Sequence, residues 1–167
     1  MNKTSLPCSS AAFSSLSADI LRLGKHLRFQ AHGMSMRPLV RDGDFVLFEP
    51  LADTPARVAD VVLCRTGVGG IVVHRVIRRQ VSADGCSYLV QGDQAAASDG
   101  WIGQEEIYGV LVSLERGGVS IPMRSLRMRL LAGLAALRSR QRLQNRNVSS
   151  IIVRLFKRLP VFGIFLN

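Results

Sequence analysis

The chain has 167 residues, 47% of them hydrophobic, and a net charge of +10. This length is enough for one domain with a hydrophobic core and an appendage. Its three cysteines are too few and too scattered for a disulfide framework. The sequence has no CxxC motif and no His/Cys pair at ligand spacing, so we expect neither a metal site nor a cofactor.

The positive charge is concentrated at the C-terminal end. Residues 116–167 contain eleven Lys and Arg and no acidic residue, whereas residues 1–115 contain the other eleven and all twelve Asp and Glu. Such a tail attracts polyanions. Residues 1–15 are polar, and no stretch of about 18 apolar residues occurs, so we expect neither a secretory signal nor a transmembrane helix.

The N-terminal region, residues 1–27, is predicted to be a leader followed by a short helix. Residues 1–13 have the composition of a flexible leader. Apolar residues at helical spacing then predict a helix from about Ser15 to Leu27. Residues 28–32 look extended.

Residues 28–121 are predicted to form a β-domain. Short apolar runs alternate with glycine-bearing turns, a pattern typical of a coiled antiparallel sheet or barrel. A loop of small residues is predicted between Gln91 and Ile107. The strand candidates are Phe45–Phe48, Asp60–Cys64, Ile71–Ile77, Ser87–Gln91, Ile107–Leu114 and Val119–Ile121.

Residues 122–167 are predicted to form a basic helical tail. Leucines recur at helical spacing from Met123 to about Leu143, and a similar pattern runs from Val148 to Leu159. Basic amphipathic helices are typical of segments that lie on a membrane surface. We therefore expect residues 123–167 to contact a membrane peripherally, with the protein otherwise cytoplasmic and nucleic acid not its partner. Packing of the tail on the barrel or on a partner subunit is the alternative.

Ser35 is the first candidate for chemistry, because a serine hydroxyl beside a base can act as a nucleophile. The only lysines are Lys3, Lys25 and Lys157, so a lysine base within the β-domain is excluded. Histidine remains, and His74 lies in the longest strand candidate, where a side chain can be held in place. His32 is closer in sequence, but we interpret it as structural.

Four segments, taken together, resemble type I signal peptidases and the related LexA-like peptidases. The histidine in the base segment is typical of the subfamily found in the endoplasmic reticulum and in archaea. The resemblance covers about residues 29–115 and implies a coiled antiparallel β-sheet or barrel. The segments are Gly33–Pro38 with Gly43–Leu47, Ala59–Val62, Val73–Ile77, and Gln91–Gln94 followed by Asp99.

The resemblance also implies roles for individual residues. Ser35 matches the nucleophile, His74 the general base, Asp99 the acid that orients the histidine, and Asp93 a second required acid. A carboxylate bonded to one imidazole nitrogen fixes the tautomer in which the other nitrogen accepts the serine proton. From the residues alone, either aspartate could be the one that contacts His74.

The function implied is that of a serine endopeptidase that removes a leader or signal segment from a peptide or protein substrate. Two alternatives remain open at this point. One is a LexA-like regulator that cleaves itself. The other is a non-catalytic β-barrel binding module whose basic tail contacts a membrane or nucleic acid.

Overall fold

The computed structural model describes residues 10–51, 54–67, 70–83, 85–123 and 133–144. Among these residues it contains eight strands, two α-helices and one 3-10 helix. In chain order the elements are α1 (Ser10–Arg22), β1 (Leu27–Gln30), β2 (Phe45–Pro50), β3 (Val61–Arg65), β4 (Ile71–Ser82), β5 (Gly85–Gln91), β6 (Gly100–Gly103), a 3-10 helix (Gln104–Glu106), β7 (Ile107–Arg116), β8 (Val119–Pro122) and α2 (residues 133–144).

The eight strands form one antiparallel sheet that curls into a half-barrel. The strand order is β1-β2-β7-β3-β4-β5-β6, and β8 pairs with β7 outside this path. The predicted antiparallel β-architecture is therefore confirmed at this level.

The strand β3 lies at the centre of the sheet and is buried on both faces. Val61 and Leu63 belong to one hydrophobic core, whereas Val62 and Cys64 belong to another. Successive side chains of a strand point to opposite faces, so a strand covered on both sides is apolar throughout. Burial raises the pKa of the Cys64 thiol to about 12, so this cysteine stays protonated as a core residue.

The helix α1 packs on the first core, and its boundaries differ from the prediction of Ser15–Leu27. It begins at Ser10, so the end of the predicted leader is helical, and residues 1–9 lie outside the described residues. It stops before Gly24, which has a φ of +73° that glycine adopts without strain. Leu27 instead begins β1, opposite Phe48 of β2. An apolar side chain suits either a helix or a strand at this position, and the pairing with β2 makes it a strand residue.

The strand β6 was not predicted and replaces part of the expected small-residue loop. Its four residues pair with β5, where Trp101 faces Leu89 and Ile102 faces Tyr88. Ile102 is buried in the second core. A strand of four residues bounded by glycines shows no clear alternation in the sequence, so only pairing with β5 defines it.

The predicted tail helix is present over residues 133–144. The rest of the prediction for residues 123–167, including the Val148–Leu159 helix, lies outside the described residues. Among the helices that the structure describes, none is long and apolar enough to cross a membrane.

An ion pair between Asp44 and Arg116 fixes the start of β2 to the end of β7. The Arg116 guanidinium donates to both carboxylate oxygens, at 2.9 and 2.6 Å, and also to the Leu39 carbonyl at 2.8 Å. The backbone N–H of Arg41 donates to Asp44 Oδ2 at 2.8 Å. These hydrogen bonds, that of Arg116 first, lower the pKa of the Asp44 carboxyl below its ordinary value.

We expect Asp44→Asn to destabilise the protein at neutral pH by about 2 kcal/mol, because the Asp44 side chain is buried and its partner would lose a charged acceptor. Because the pKa of the Asp44 carboxyl is lower in the folded than in the unfolded protein, its stabilisation of the fold is complete above about pH 4. This stabilisation decreases as the pH falls through the folded-state pKa. Urea unfolding at a series of pH values should show the difference from wild type disappearing in acid. Asp19→Asn, at an exposed carboxylate of α1, is the control and should change little. A difference independent of pH would contradict the assignment.

Candidate active site

Ser35 lies in the loop of residues 31–44 that connects β1 to β2, here called the nucleophile loop. The ladder between these strands continues into the loop, where the Ala31 N–H donates to the Asp44 carbonyl at 2.8 Å. Met36 and Val40 are buried in the first core and anchor the loop, whereas Ser35, directly before Met36, is exposed. Burial of flanking side chains thus presents the serine hydroxyl to solvent on a fixed backbone.

Gly33 shapes the approach to Ser35. Its φ of +98° lies in the left-handed region, and its N–H donates to Asp42 Oδ1 at 2.9 Å. This hydrogen bond is the main reason that the pKa of Asp42 lies below its ordinary value. His32 Nδ1 lies 3.5 Å from Asp42 Oδ1, and both side chains are exposed. The structural interpretation of His32 stays a prediction.

His74 is a buried residue of β4, paired with Val62 of β3. Its Nε2 is 3.3 Å from Ser35 Oγ, and its Nδ1 is 2.6 Å from Asp99 Oδ2. An ionised Asp99 can only accept, so Nδ1 carries the proton and donates to it. Nε2 is then free to accept from the Ser35 hydroxyl. The three side chains therefore form a continuous chain of polar contacts.

Asp99 reaches His74 because of how β5 and β6 are joined. The residues between these strands, 92–99, are here called the acidic loop. The Asp99 N–H donates to the Val90 carbonyl at 3.0 Å and closes the loop, and Gly100 directly after it pairs with Val90. The short strand β6 thus fixes the position of the Asp99 carboxylate.

Asp93 contacts Arg75 instead of the histidine. Arg75 Nε and Nη2 donate to the two carboxylate oxygens at 2.7 and 2.6 Å, and both side chains are buried. Arg75 Nη1 also donates to the carbonyl of Ala59 at 2.8 Å. The structure therefore brings Ser35, His74 and Asp99 together and places Asp93 in a separate ion pair.

The acidic loop also touches the nucleophile loop through Gly92 and Gln94. The Gln94 N–H donates to the Ser35 carbonyl at 2.8 Å, and Gln94 Nε2 donates to the Arg37 carbonyl at 3.3 Å. A Cβ on Gly92 would lie 3.0 Å from His74 Nε2 and 3.1 Å from Ser35 Cβ. Only glycine fits between the serine and the histidine without displacing one of them.

Sequence reasoning assigned no role to Gly92 or Arg75, although both lie in segments that carry the resemblance. A signal for Arg75 was present, because an arginine inside an apolar strand needs an acidic partner when buried. The requirement for glycine at residue 92 had no comparable signal. It arises from the approach of two loops that are distant in the chain.

A cleft of about 640 Å³ opens beside Ser35 and His74. Its two walls are Phe29–Gly33, along β1 and its continuation, and Ile71–His74 of β4. The strand β1 is at one end of the sheet order, and pairing of β4 with β5 begins only at Arg75. The walls are therefore backbone segments with one edge that is unpaired in the described sheet. Met36, Val40 and Leu63 contribute apolar surface to the cleft.

Within the described ranges, no group of three or more His, Cys, Asp or Glu side chains is placed to hold a metal ion. No model of a known protein family matches the chain, and no curated protein matches it.

We expect Gly92→Ala to separate Ser35 from His74 and to destabilise the fold by about 1–3 kcal/mol, because the added methyl group overpacks the contact. The imidazole resonances of His74 in NMR spectra should shift, and thermal unfolding should occur at a lower temperature. Gly70→Ala is the matched control, since a Cβ there meets nothing within 4 Å. Unchanged His74 resonances in Gly92→Ala would show that the close approach does not exist.

Proposed function

We propose that the protein is a serine endopeptidase of the signal-peptidase-like type. Ser35 is the nucleophile, His74 the general base and Asp99 the acid that orients the base. The observation that carries this proposal is the continuous contact from Ser35 Oγ to His74 Nε2 and from His74 Nδ1 to Asp99 Oδ2. The curled antiparallel sheet is of the class that the resemblance implies, which adds support.

Acylation begins with attack of Ser35 Oγ on the carbonyl carbon of the scissile peptide bond. His74 Nε2 takes the hydroxyl proton as the new C–O bond forms, and Asp99 stabilises the resulting imidazolium. The Ser35 backbone N–H is the expected donor to the developing oxyanion. His74 then delivers the proton to the leaving amine, and the C–N bond breaks to leave an acyl group on Ser35.

Deacylation uses the same residues in the reverse sense. His74 Nε2 removes a proton from a water molecule, whose oxygen attacks the acyl carbon. The proton then returns to Ser35 Oγ as the ester C–O bond breaks and the carboxylic acid product leaves.

The substrate proposed is an extended segment of a peptide or protein. Extended peptides bind exposed strand edges through backbone hydrogen bonds, with alternate side chains entering pockets. The cleft between Phe29–Gly33 and Ile71–His74 has two such edges and a largely apolar floor. By the resemblance, cleavage follows a small residue and releases a leader or signal segment.

Asp93 has a positioning role in this proposal. Its carboxylate is occupied by the Arg75 guanidinium, so it has no contact with the reacting atoms. It fixes the acidic loop next to β4, and this loop carries both Gly92 and Asp99. The implied second required acid would act through Arg75 and the loop.

We expect Ser35→Ala and His74→Ala each to reduce peptide cleavage by about a thousandfold or more, and Asp99→Asn by at least about a hundredfold. Each substitution removes the nucleophile, the base or the group that orients the base. No neighbouring side chain of the described site takes over that role. The assay is mass spectrometry of a peptide library after incubation with each purified variant, combined with labelling of Ser35 by a fluorophosphonate.

The matched controls are Ser120→Ala and His26→Ala, at exposed positions outside the site. Both should cleave like wild type. Full activity of Ser35→Ala, or a wild-type protein that neither cleaves nor is labelled, would refute the enzymatic proposal. A folded protein of that kind would favour the binding-module alternative.

We further propose that the outer face of α2 contacts a membrane surface. Leu134 and Leu137, one helical turn apart, are both about half exposed, at 54% and 53%. Large apolar side chains on a helix can enter the interface of an anionic bilayer while an exposed arginine, here Arg138, remains near the headgroups. The protein would then act as a peripheral membrane enzyme.

We expect the double variant Leu134→Ser with Leu137→Ser to bind anionic phosphatidylglycerol vesicles about tenfold more weakly, because two apolar side chains no longer leave water. Cosedimentation with vesicles measures this change. The matched control carries Leu16→Ser and Leu23→Ser, two exposed leucines of the α1 region. Equal binding by both double variants would exclude this face as the contact.

A further inference from the structure

The helix α2 is held against the part of the β-domain that supports the proposed catalytic residues. Ala136 and Ser139, three residues apart on one helical face, are 3% and 1% exposed. Two arginines that follow on the same helix donate to backbone carbonyls of the β-domain. The helix is therefore held both by the burial of small side chains and by directed hydrogen bonds.

Arg140 reaches β4 close to the base. Its Nε donates to the carbonyl of Ile77, three residues after His74. The pairing of β4 with β5 shifts register between Val76 and Arg78, so Ile77 occupies a β-bulge. A bulge displaces a carbonyl from the ladder, and the Arg140 guanidinium supplies a donor for it.

Arg142 reaches the acidic loop. Its Nη2 donates to the carbonyl of Asp93 at 3.0 Å. The residue before Asp93 is Gly92, which fills the gap between Ser35 and His74, and the residue after it is Gln94, whose N–H holds the Ser35 carbonyl. The carbonyl that Arg142 binds thus belongs to the central peptide of the contact between the two loops.

From these contacts we propose that Arg142 is a positioning residue for the serine peptidase site, acting through the acidic loop. The inference rests on the proposed function, because it assigns the support of the same Ser35–His74 contact. The Asp93 carboxylate is fixed by Arg75 from within the domain, and its carbonyl is fixed by Arg142 from α2. The C-terminal basic helix thereby becomes part of the catalytic apparatus without touching the substrate.

The contact between Ser35 and His74 tolerates only a small displacement. The distance of 3.3 Å between Ser35 Oγ and His74 Nε2 leaves little room for further separation before proton transfer is impaired. Gly92 and Gln94 belong to the acidic loop and lie against Ser35, so a small displacement of the Asp93 peptide moves them relative to Ser35. Because Arg142 lies largely at the surface, its loss should change this geometry more than it changes global stability.

The experiment compares full-length Arg142→Ala, Arg142→Lys and Arg138→Ala with wild type in the absence of vesicles. The rate constant for labelling of Ser35 by a fluorophosphonate is measured across pH, together with the thermal unfolding temperature. Arg138 is the matched control, since it is an exposed arginine of the same helix and its loss removes the same charge.

We expect Arg142→Ala to label about tenfold more slowly, a cost of about 1.4 kcal/mol in activation free energy. Arg142→Lys should recover most of the rate, because an ammonium can also donate to the Asp93 carbonyl. Arg138→Ala should behave like wild type, and all unfolding temperatures should stay close together. If Arg142→Ala does not fold, Arg142→Met keeps the aliphatic stem without the donors and gives the same test.

The inference is overturned if Arg142→Ala is labelled at the wild-type rate. It is also overturned if the labelling rate of this variant falls only in proportion to the fraction of the protein that is unfolded. A rate reduced equally in Arg142→Ala and Arg138→Ala would also overturn it, because the effect would then be one of charge. Failure of the proposed function gives a different result. In that case wild type is not labelled at all, or Ser35→Ala is still labelled.

Discussion

The buried ion pair between Arg75 and Asp93 is the interaction on which the site depends. Desolvating a guanidinium and a carboxylate costs several kcal/mol for each ion, and only close pairing with further hydrogen bonds offsets this cost. The pair therefore has one favourable arrangement, with two contacts of 2.7 Å or less. Because His74 directly precedes Arg75, the same constraint that holds β4 to the acidic loop also sets His74 beside Asp99.

The rest of the site extends outward from this pair. Gly92 permits the close approach of the two loops, and Gln94 connects the acidic loop to the backbone of Ser35. The cleft remains open on the other side, where Ile71–His74 are not paired with β5. A rigid group of side chains next to accessible strand edges is the arrangement that an endopeptidase acting on extended chains requires. The hydrogen bond from Arg142 to the Asp93 carbonyl additionally holds the acidic loop from α2.

Much of the sheet could be predicted from the sequence, because apolar runs and glycine turns reflect local preferences. The run Val61–Cys64 correctly indicated a strand, and its lack of alternation follows from burial on both faces. The strand β6 and the end of α1 could not be predicted, because each is defined by pairing with a distant segment. Leu27 is apolar in either a helix or a strand, and its partner Phe48 decides the outcome.

For the site, the residue types present already limited the available chemistry. Ser35 lies in a turn and His74 in a strand, and residues 26–156 contain no lysine, so histidine is the base candidate. Which aspartate contacts this histidine depends on tertiary packing. Asp93 and Asp99 both follow β5, and either could face His74 in an extended chain. Asp93 is instead occupied by Arg75, because a buried guanidinium requires a carboxylate, and β6 then places Asp99 against His74.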